Sequence, residues 1–436
     1  MPEPAVATVM HSTKTHAFTR WMSRNPVAFT LLASASAFGA YTCMYAFRRP
    51  FTVGTFGGRE LWGFKLKVLL VVAQMIGYAL SKFTGIKIVS EARPGQRIAM
   101  IIGLHVVAWL GLLMLAVLPP EAALVGMFLN GLPLGMIWGL VFSFLEGRRV
   151  TEFLGLGLSV SFIFASGWVK SVGSWMMGAW GVSELWMPAA TAALFVPPLA
   201  LCLHVMSRLP PPDERDIAER TKREPMDGAA RLRLLRELGG PLAFLVALYV
   251  LLSVYRDLRD TFMADVLKEL DQSVPSGIFA QVETFAGLGV LAALSGLWFI
   301  RNHWRALATY HVVVVLGTSL VGISNWLFRA GHIPTFWWLS LTGLGIYLAY
   351  VPFNSIFFDR LLAATRRVGT ASFLIYVADA SGYAASVMLY LGRLFSLKHI
   401  SWTQLTWTTG WILSITAPLL LGIAWLLLER QRRPSA

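Results

Sequence analysis

Charge and cysteine are both scarce in this sequence. Only 14% of the 436 residues are Asp, Glu, Lys or Arg, whereas a soluble domain carries about 25%. Cys43 and Cys202 are the two cysteines, and both lie in apolar surroundings. The low charge excludes an ordinary water-soluble domain, and two isolated thiols provide neither a disulfide framework nor a thiol metal site. We therefore expect no metal and no cofactor.

Long hydrophobic segments make up most of the chain instead. Hydrophobic residues account for 56% of it, with 27 Phe and 17 Trp, and they form twelve apolar segments. A helix of about 20 residues crosses the hydrocarbon core, where every backbone polar group needs a partner within the chain. The predicted fold class is an all-α integral membrane protein with twelve transmembrane helices. The predicted spans are residues 26–56, 68–86, 98–118, 122–145, 153–180, 185–206, 239–264, 274–300, 306–328, 334–358, 368–392 and 403–428.

One polar interruption divides these spans into two groups of six. It covers residues 207–238 and contains a run of three prolines and nine charged residues between Asp213 and Glu224. Two six-helix groups joined by a linker are the plan of the major facilitator fold, in which each half contains inverted three-helix repeats. The predicted organisation is a tail (1–25), a bundle (26–206), the linker (207–238), a second bundle (239–428) and a tail (429–436).

The distribution of lysine and arginine predicts the orientation of the chain in the membrane. They are concentrated in the linker, in both tails and in alternate short loops such as that with Arg148 and Arg149, and such segments favour the cytoplasm. We therefore place both termini and the linker in the cytoplasm, with the chain in the cell (inner) membrane. Residues 1–25 lack an apolar run followed by a small-residue cleavage site, so we expect an uncleaved first span. The net charge of +14 is then a topology signal, and no nucleic-acid partner is expected.

Charged residues interrupt six of the twelve predicted spans. A charge in hydrocarbon costs about 2.5–3.5 kcal/mol on insertion scales, so such residues face the bundle interior and are functional candidates. Spans three, six, nine and twelve, which lie outermost in the major facilitator fold, carry no charge. The charges within spans are Arg48, Arg49, Lys82, Lys170, Arg256, Asp257, Arg259, Asp260, Glu283 and Asp379.

Tyrosines share helical faces with several of these charges. Residues three, four, seven and eleven apart lie on one face of a helix, and a tyrosine stripe alone would indicate ordinary packing. A stripe that also contains a charge indicates the wall of a polar cavity. The predicted faces are Tyr41, Tyr45 and Arg48; Gln74, Tyr78 and Lys82; Ser166, Lys170 and Ser174; Tyr249, Ser253, Arg256 and Asp260; Tyr347, Tyr350 and Asn354; and Ser372, Tyr376, Asp379 and Tyr383.

The interior charges predict an anionic ligand. Six cations face four carboxylates, which leaves an excess of two positive charges. Arg48 and Arg256 lie on the first span of each half, and guanidinium binds phosphate and carboxylate groups bidentately. The alternative is that the charges form ion pairs that only hold the halves together. The predicted binding residues are Arg48, Arg256, Lys82, Arg49, Tyr41, Tyr45, Tyr78, Lys170, Tyr350, Asn354 and Tyr383, and the predicted coupling residues are Glu283, Asp379, Asp257 and Asp260.

Short motifs in both halves resemble the organophosphate:phosphate antiporters of the major facilitator superfamily, which include the glycerol-3-phosphate and hexose-phosphate transporters. That family has tyrosines before an Arg-Lys pair followed by Asn-Phe, and a second-span Tyr-Gly-x-Ser-Lys-Phe. The matching residues here are Tyr41, Tyr45, Arg48, Arg49, Pro50 and Phe51, then Tyr78 to Phe83. Arg256 matches the second essential arginine, and Glu283, Tyr350 and the Gly382-Tyr383 pair are similar to further family positions.

Two family positions differ in this sequence. The fifth-span histidine falls near Ser166, with Lys170 one turn later, and the acid that follows the second arginine falls on Thr261, with Asp257 and Asp260 nearby. The resemblance implies a secondary transporter that exchanges a small phosphorylated solute for inorganic phosphate by rocking of its halves, as a monomer in the lipid bilayer. These differences leave substrate and coupling open.

Two alternatives remain at this stage. The first is proton-coupled transport of an organic anion, in which Glu283 or Asp379 takes the proton. The second is a transport-like receptor that binds the anion and signals through the linker. We do not expect an enzyme, because no His-Glu metal cluster, Gly-x-Ser-x-Gly or paired-Asp motif lies in a span.

Overall fold

The computed structural model describes residues 17–90, 92–145, 151–210, 228–270, 275–367, 369–397 and 399–432. Most of the predicted linker, the outer parts of both predicted tails, and Arg148 with Arg149 lie outside these residues. The first half of the chain forms α1 (Ala17–Arg24), α2 (Pro26–Ala46), the hairpin β1 (Glu60–Leu61) and β2 (Phe64–Lys65), α3 (Leu66–Ser90), α4 (Arg97–Val117), α5 (Pro120–Phe142), α6 (Thr151–Trp180), α7 (Met187–Leu194) and α8 (Val196–Ser207).

The second half forms another helical bundle. Its elements are α9 (Gly228–Glu269), α10 (Ile278–Ser295), α11 (His303–Arg329), α12 (Thr335–Ser355), α13 (Phe357–Thr365), α14 (Ala371–Phe395) and α15 (Trp402–Arg432). Short 3₁₀ turns at Pro50–Val53, Phe56–Gly58, Pro94–Gln96 and Gly296–Phe299 connect some of the helices. We call the end of the bundle with β1 and β2 the hairpin end, and the opposite end, where α8 ends and α9 begins, the linker end.

Local sequence explains where several helices begin and break. Asn25 accepts a hydrogen bond from the Ala28 amide at 3.2 Å and precedes Pro26, which is a favourable start for α2. The predicted sixth span is divided at Phe195, because Pro197 and Pro198 lack the amide hydrogens that would continue the helix. The predicted tenth span is divided at Ile356, which ends α12 and precedes α13.

Ten helices in the described part of the chain are long and apolar enough to cross a membrane, with α7 and α8 counted as one. The helices α3 and α6, which are not among the ten, have 25 and 30 residues. At 1.5 Å per residue, both exceed the hydrocarbon thickness of about 30 Å. The chain is a multi-pass, predominantly helical membrane protein.

Some helix bounds differ from those predicted. The predicted linker ends at residue 238, but α9 already begins at Gly228, so the seventh span extends toward the linker by three helical turns. The predicted first span ends at residue 56, whereas α2 ends at Ala46. The predicted tails contain α1 and the last residues of α15, which ends at Arg432.

Glycines allow α4 and α5 to pack backbone to backbone. A Cβ atom at Gly111 would lie 2.8 Å from the Asn130 amide nitrogen, and one at Gly126 would lie 2.7 Å from the Gly111 carbonyl oxygen. Small residues at such crossings are what packing between membrane helices uses. No larger side chain fits without moving a helix.

We expect Gly111→Val to reduce the yield and thermal stability of the folded protein. Overpacking of this kind costs about 1–3 kcal/mol, and the neighbouring atoms here are backbone. Gly103→Val on the same helix is the matched control, because a Cβ there meets nothing within 4 Å. Size-exclusion profiles and melting curves in detergent compare the two variants, and equal behaviour would contradict this packing.

The two halves contact each other along two helix pairs. Helix α6 packs against α10, and α3 packs against α14. At the hairpin end, one apolar core contains residues of both halves, including Leu61 and Leu66 from the first and Phe262 and Trp402 from the second. The charged residues of the interior lie between these contacts.

Candidate functional site

The end of α2 positions the first arginine of the site. Because Pro50 has no amide hydrogen, the chain leaves the helix here and backbone carbonyls lose their helical partners. Asn130 of α5 donates to the Phe47 carbonyl at 2.9 Å, and Gln74 of α3 donates to the Arg48 carbonyl at 3.1 Å. The two side chains also bond each other at 2.7 Å. Arg48 therefore sits on a turn held by two buried amides.

Arg48 is buried without a carboxylate partner. It is 4% exposed, and its guanidinium carbon lies 3.6 Å from the centroid of the Tyr78 ring. Among the described residues, no carboxylate oxygen lies within 4.0 Å of its side chain. A buried charge is costly unless something compensates it. A negatively charged group beside Arg48 would supply this compensation.

Arg256 of α9 is the counterpart of Arg48 in the second half. Its guanidinium carbon lies 4.1 Å from the centroid of the Tyr350 ring, so each arginine stacks on a tyrosine of its own half. Its Nη2 atom also contacts Asp257 Oδ1 at 2.7 Å, and Ser386 donates to the other oxygen of Asp257 at 3.0 Å. Among the described residues, Asp257 is thus the acid that contacts Arg256 and compensates its charge.

Asp260 of α9 joins the two halves at the centre of the site. Its carboxylate oxygens accept contacts from Arg49 Nη2 at 3.0 Å and from Lys170 Nζ at 2.6 Å. Ser166 donates to the same carboxylate at 2.7 Å. Arg49 further donates to Thr261 at 3.3 Å. All three donors to Asp260 belong to the first half, so this acid holds two cations of that half.

A narrow cavity lies among these groups, with about 280 Å³ of space between its lining atoms when its open side is included. Three of its lining residues are arginines and one is an acid, so the field inside it favours an anion. Tyrosines supply hydroxyl donors around the cations. The lining residues are Tyr45, Arg48, Arg49, Phe162, Ser166, Arg256, Asp260, Tyr347 and Tyr383.

Lys82 and Asp379 form a second polar cluster next to the cavity. Lys82 Nζ lies 3.6 Å from Asp379 Oδ2 across the α3 and α14 contact. Tyr249 donates a short hydrogen bond to Asp379 Oδ1, and its hydroxyl also contacts Tyr350 at 2.8 Å and Asn354 at 3.1 Å. These residues do not line the cavity itself, but Tyr350 belongs to both the cluster and the Arg256 stack.

Glu283, a predicted coupling residue, pairs with Arg259. Its Oε1 atom lies 2.7 Å from Arg259 Nη1, and Glu283 is fully buried. Arg259 also donates to the Leu339 carbonyl at 2.7 Å. This dry ion pair lies outside the cavity lining, and Glu283 Oε2 has no hydrogen-bond partner among the described residues.

The tyrosine faces are also only partly reproduced. Tyr45 and Tyr383 line the cavity, and Tyr78 stacks under Arg48, with Tyr78 and Tyr383 5.2 Å apart between ring centroids. Tyr41 is one turn from Tyr45 and packs edge-on against it, away from the cavity lining. Arg256 and Asp260, which were predicted to share a helical face, each contact a different residue: Arg256 contacts Asp257, and Asp260 contacts Arg49.

Comparison with protein-family models identifies the family of this chain. A family of unknown function (DUF5690) matches residues 50–431. The chain belongs to this family. No curated protein matches it in sequence.

Solved transporters share the architecture of this DUF5690 member. A variant of the nucleoside transporter NupG is 13% identical, with a TM-score of 0.60 over 93% of this chain and 100% of that chain. The xylose transporter XylE from E. coli, in a partially occluded inward-open conformation, is 14% identical, with a TM-score of 0.59 over 91% and 98%. At this identity the likeness shows the fold, which is of the major facilitator type.

Further contacts close the hairpin end of this DUF5690 member. Lys67 Nζ of the first half lies 2.5 Å from Asp265 Oδ2 of the second half and donates to the Thr52 carbonyl at 2.7 Å. Phe64 of the hairpin packs edge-on against Phe395 of α14. Opening this end therefore requires breaking a largely buried ion pair.

Sequence reasoning missed two residues that build the site. Phe162 lines the cavity, and no charge or spacing marked it. Asn130 is the only amide or charged side chain in the predicted fourth span. A lone amide in an apolar span needs hydrogen-bond partners, and this signal could have identified it.

Proposed function

We propose that this protein is a secondary transporter that carries a small anionic solute by alternating access. The observation that carries the proposal is Arg48. This cation is buried, has no carboxylate partner among the described residues, and lines a central cavity with Arg49 and Arg256. The neighbours NupG and XylE are a nucleoside and a xylose transporter. The three arginines around the cavity here favour an anion over a neutral sugar or nucleoside.

A phosphorylated organic solute is the ligand class that these groups suit best. Two guanidiniums can each donate two parallel hydrogen bonds to phosphate oxygens, while Tyr45, Tyr347 and Tyr383 offer hydroxyls for the rest of the solute. The organophosphate antiporter motifs support the same class. We further propose that inorganic phosphate is the exchanged anion and that the protein acts as a monomer.

Exchange follows from the charge balance around Asp260. Arg49 and Lys170 share the Asp260 carboxylate, Asp257 lies 4.0 Å from Arg49, and within the described ranges no carboxylate contacts Arg48. An empty cavity keeps this excess positive charge away from water while the halves rock, which is unfavourable in a medium of low dielectric constant. A bound anion supplies the missing charge, so movement with an anion is the easier step.

Proton coupling is the competing function, and one observation favours it. Glu283 Oε2 is buried and has no hydrogen-bond partner in the part of the chain that the structure describes, which leaves this oxygen free to bond a further group. In that case Glu283→Gln would leave counterflow intact and abolish accumulation driven by a pH gradient. Asp379→Asn is the parallel variant, because Asp379 bonds Tyr249 and faces Lys82.

Purified protein in liposomes separates these functions. Vesicles loaded with phosphate are expected to take up external labelled phosphate rapidly, whereas vesicles loaded with a neutral buffer and given a pH gradient are not. Unlabelled glycerol phosphate or hexose phosphate outside should compete, and xylose and a nucleoside should not. Uphill uptake into phosphate-free vesicles under a pH gradient alone would overturn exchange in favour of proton coupling.

We expect Lys82→Ala to weaken phosphate binding about tenfold. The substitution removes a cation beside the cavity and frees Asp379, whose negative charge then opposes an anion. Lys82→Arg should restore less than half of the activity, because a planar guanidinium directs its donors differently from the compact ammonium that lies 5.5 Å from the Tyr78 ring centroid. Binding of labelled phosphate to purified protein measures both variants. Unchanged binding and exchange in Lys82→Ala would remove this residue from the site.

A further inference from the structure

A second recess lies outside the central site, on the membrane-facing side of the first half. It runs between α4 and α8, has a volume of about 940 Å³ with its open side included, and has an apolar lining. Its walls include Ile98, Ile102 and Trp109 from α4 and Val196, Leu199, Ala200 and Ser207 from α8. We call it the α4–α8 groove.

The groove has the length of one membrane leaflet. On α4 it extends from Ile98, the second residue of the helix, to Trp109, and on α8 from Val196 to Ser207, the last residue. At 1.5 Å per residue each wall is about 16 Å long, and half of the hydrocarbon core is about 15 Å. The groove therefore opens at the linker end and stops near the bilayer centre.

Positive charge surrounds the open end. Helix α1 lies there, because Thr19 donates to the Arg208 carbonyl at 3.0 Å directly after α8 ends. Arg20 and Arg24 of α1 are exposed, and His204 of α8 lines the groove. The helices α1, α4 and α8 contain no Asp or Glu.

Helix α1 has the features of a helix at the membrane surface. Phe18 and Trp21 stack at 5.9 Å and remain exposed, while Met22 packs inward. Exposed aromatic residues next to arginines are typical of amphipathic helices at the level of lipid headgroups. Such a helix places Arg20 and Arg24 at the depth of the lipid phosphates.

We propose that the α4–α8 groove binds an acyl chain of an anionic phospholipid from the leaflet at the linker end. The headgroup phosphate is bound by Arg20, Arg24 and Arg208, and the chain lies along α4 and α8. Charge complementarity at the opening and the one-leaflet length of the groove select this ligand over a zwitterionic lipid or a free anion.

Lipid binding to the purified protein tests the proposal. Delipidated protein is incubated with equal amounts of phosphatidylglycerol and phosphatidylcholine that have identical acyl chains, and bound lipid is counted by native mass spectrometry. We expect preferential retention of phosphatidylglycerol, and a reduction of that preference of about fivefold for each of Arg20→Gln, Arg24→Gln and Arg208→Gln. Arg305→Gln, at an exposed position on α11, is the matched control and should change nothing.

Substitutions that fill the groove test where the acyl chain of the lipid lies. Ala200→Trp places a large ring in the groove and should abolish retention, whereas Leu201→Trp, on the adjacent residue that is 65% exposed and outside the lining, should retain the lipid. Ile102→Trp on α4 gives the same test from the other wall if Ala200→Trp does not fold. Equal retention of both lipids, or retention unchanged by both groove substitutions, would overturn the proposal and indicate surface lipid only. Inorganic phosphate alone should not compete; competition would indicate a free-anion site.

Discussion

Arg48→Lys and Arg256→Lys are each expected to reduce phosphate exchange by about 10- to 150-fold. Lysine keeps the charge but loses the planar pair of donors, and one hydrogen bond to a charged group is worth about 1.5–3 kcal/mol. Lysine also gives up the flat stack on Tyr78 or Tyr350, which fixes the direction of the guanidinium. Labelled phosphate counterflow in liposomes measures the loss.

Arg305→Lys is the matched control, because this arginine is exposed at the start of α11, far along the chain from the cavity lining. It should exchange at the rate of the unmodified protein. Melting temperatures of all three variants should agree within a few degrees, since charge is preserved at each position. Near-normal exchange by both cavity variants would move Arg48 and Arg256 out of the binding site and leave them as structural residues.

Asp260→Asn is expected to make the empty protein unstable and phosphate a strong stabiliser. The variant keeps the shape of the side chain and an acceptor for Ser166, but it removes the counter-ion of Lys170 and leaves Arg49 with the longer 4.0 Å contact to Asp257. Removing one member of a buried ion pair costs about 3–5 kcal/mol. A phosphate ion in the cavity can replace the missing charge, so binding should tighten while exchange slows because release becomes difficult.

Melting curves with and without phosphate show this effect directly. The increase in melting temperature on adding phosphate should be several-fold larger for Asp260→Asn than for the unmodified protein. Glu237→Gln is the control, because its pair with Arg367 at 3.1 Å is about one-third exposed and worth less than about 1 kcal/mol. Adding Lys170→Met to Asp260→Asn should return the phosphate effect toward normal. A variant that melts normally and ignores phosphate would show that Asp260 does not balance the site.

Hydropathy was sufficient to predict the membrane class, and in-span charge marked the four charged residues that line the cavity. Arg48, Arg49, Arg256 and Asp260 meet there because charge cannot remain in lipid and the bundle has one polar interior. Which of these charges form ion pairs with each other could not be predicted from the sequence. Asp260 lies four residues from Arg256, a spacing that predicts a helical pair, yet it bonds Lys170 of the other half.

The backbone at Arg48 was unpredictable for a related reason. Helical spacing placed Arg48 on one face with Tyr41, but the helix ends at Ala46 and the arginine follows on a turn. That turn is held by the hydrogen bond from Asn130 to the Phe47 carbonyl, and these two residues lie 83 positions apart in sequence. Contacts between distant segments override local periodicity, and a single sequence gives no measure of them.

Helix α9 connects the surface of the protein to its anion site. From Gly228 to Arg256 it is one helix of about 42 Å at 1.5 Å per residue, with Pro241 inside it. Its first turns are attached to α14 and the loop before it, where Leu234 packs against Gly369 and Glu237 bonds Arg367. Movement of those turns is therefore expected to reach the Arg256 guanidinium through the helix. An antibody fragment that binds residues 228–238 should slow transport from outside the membrane, without occupying the cavity.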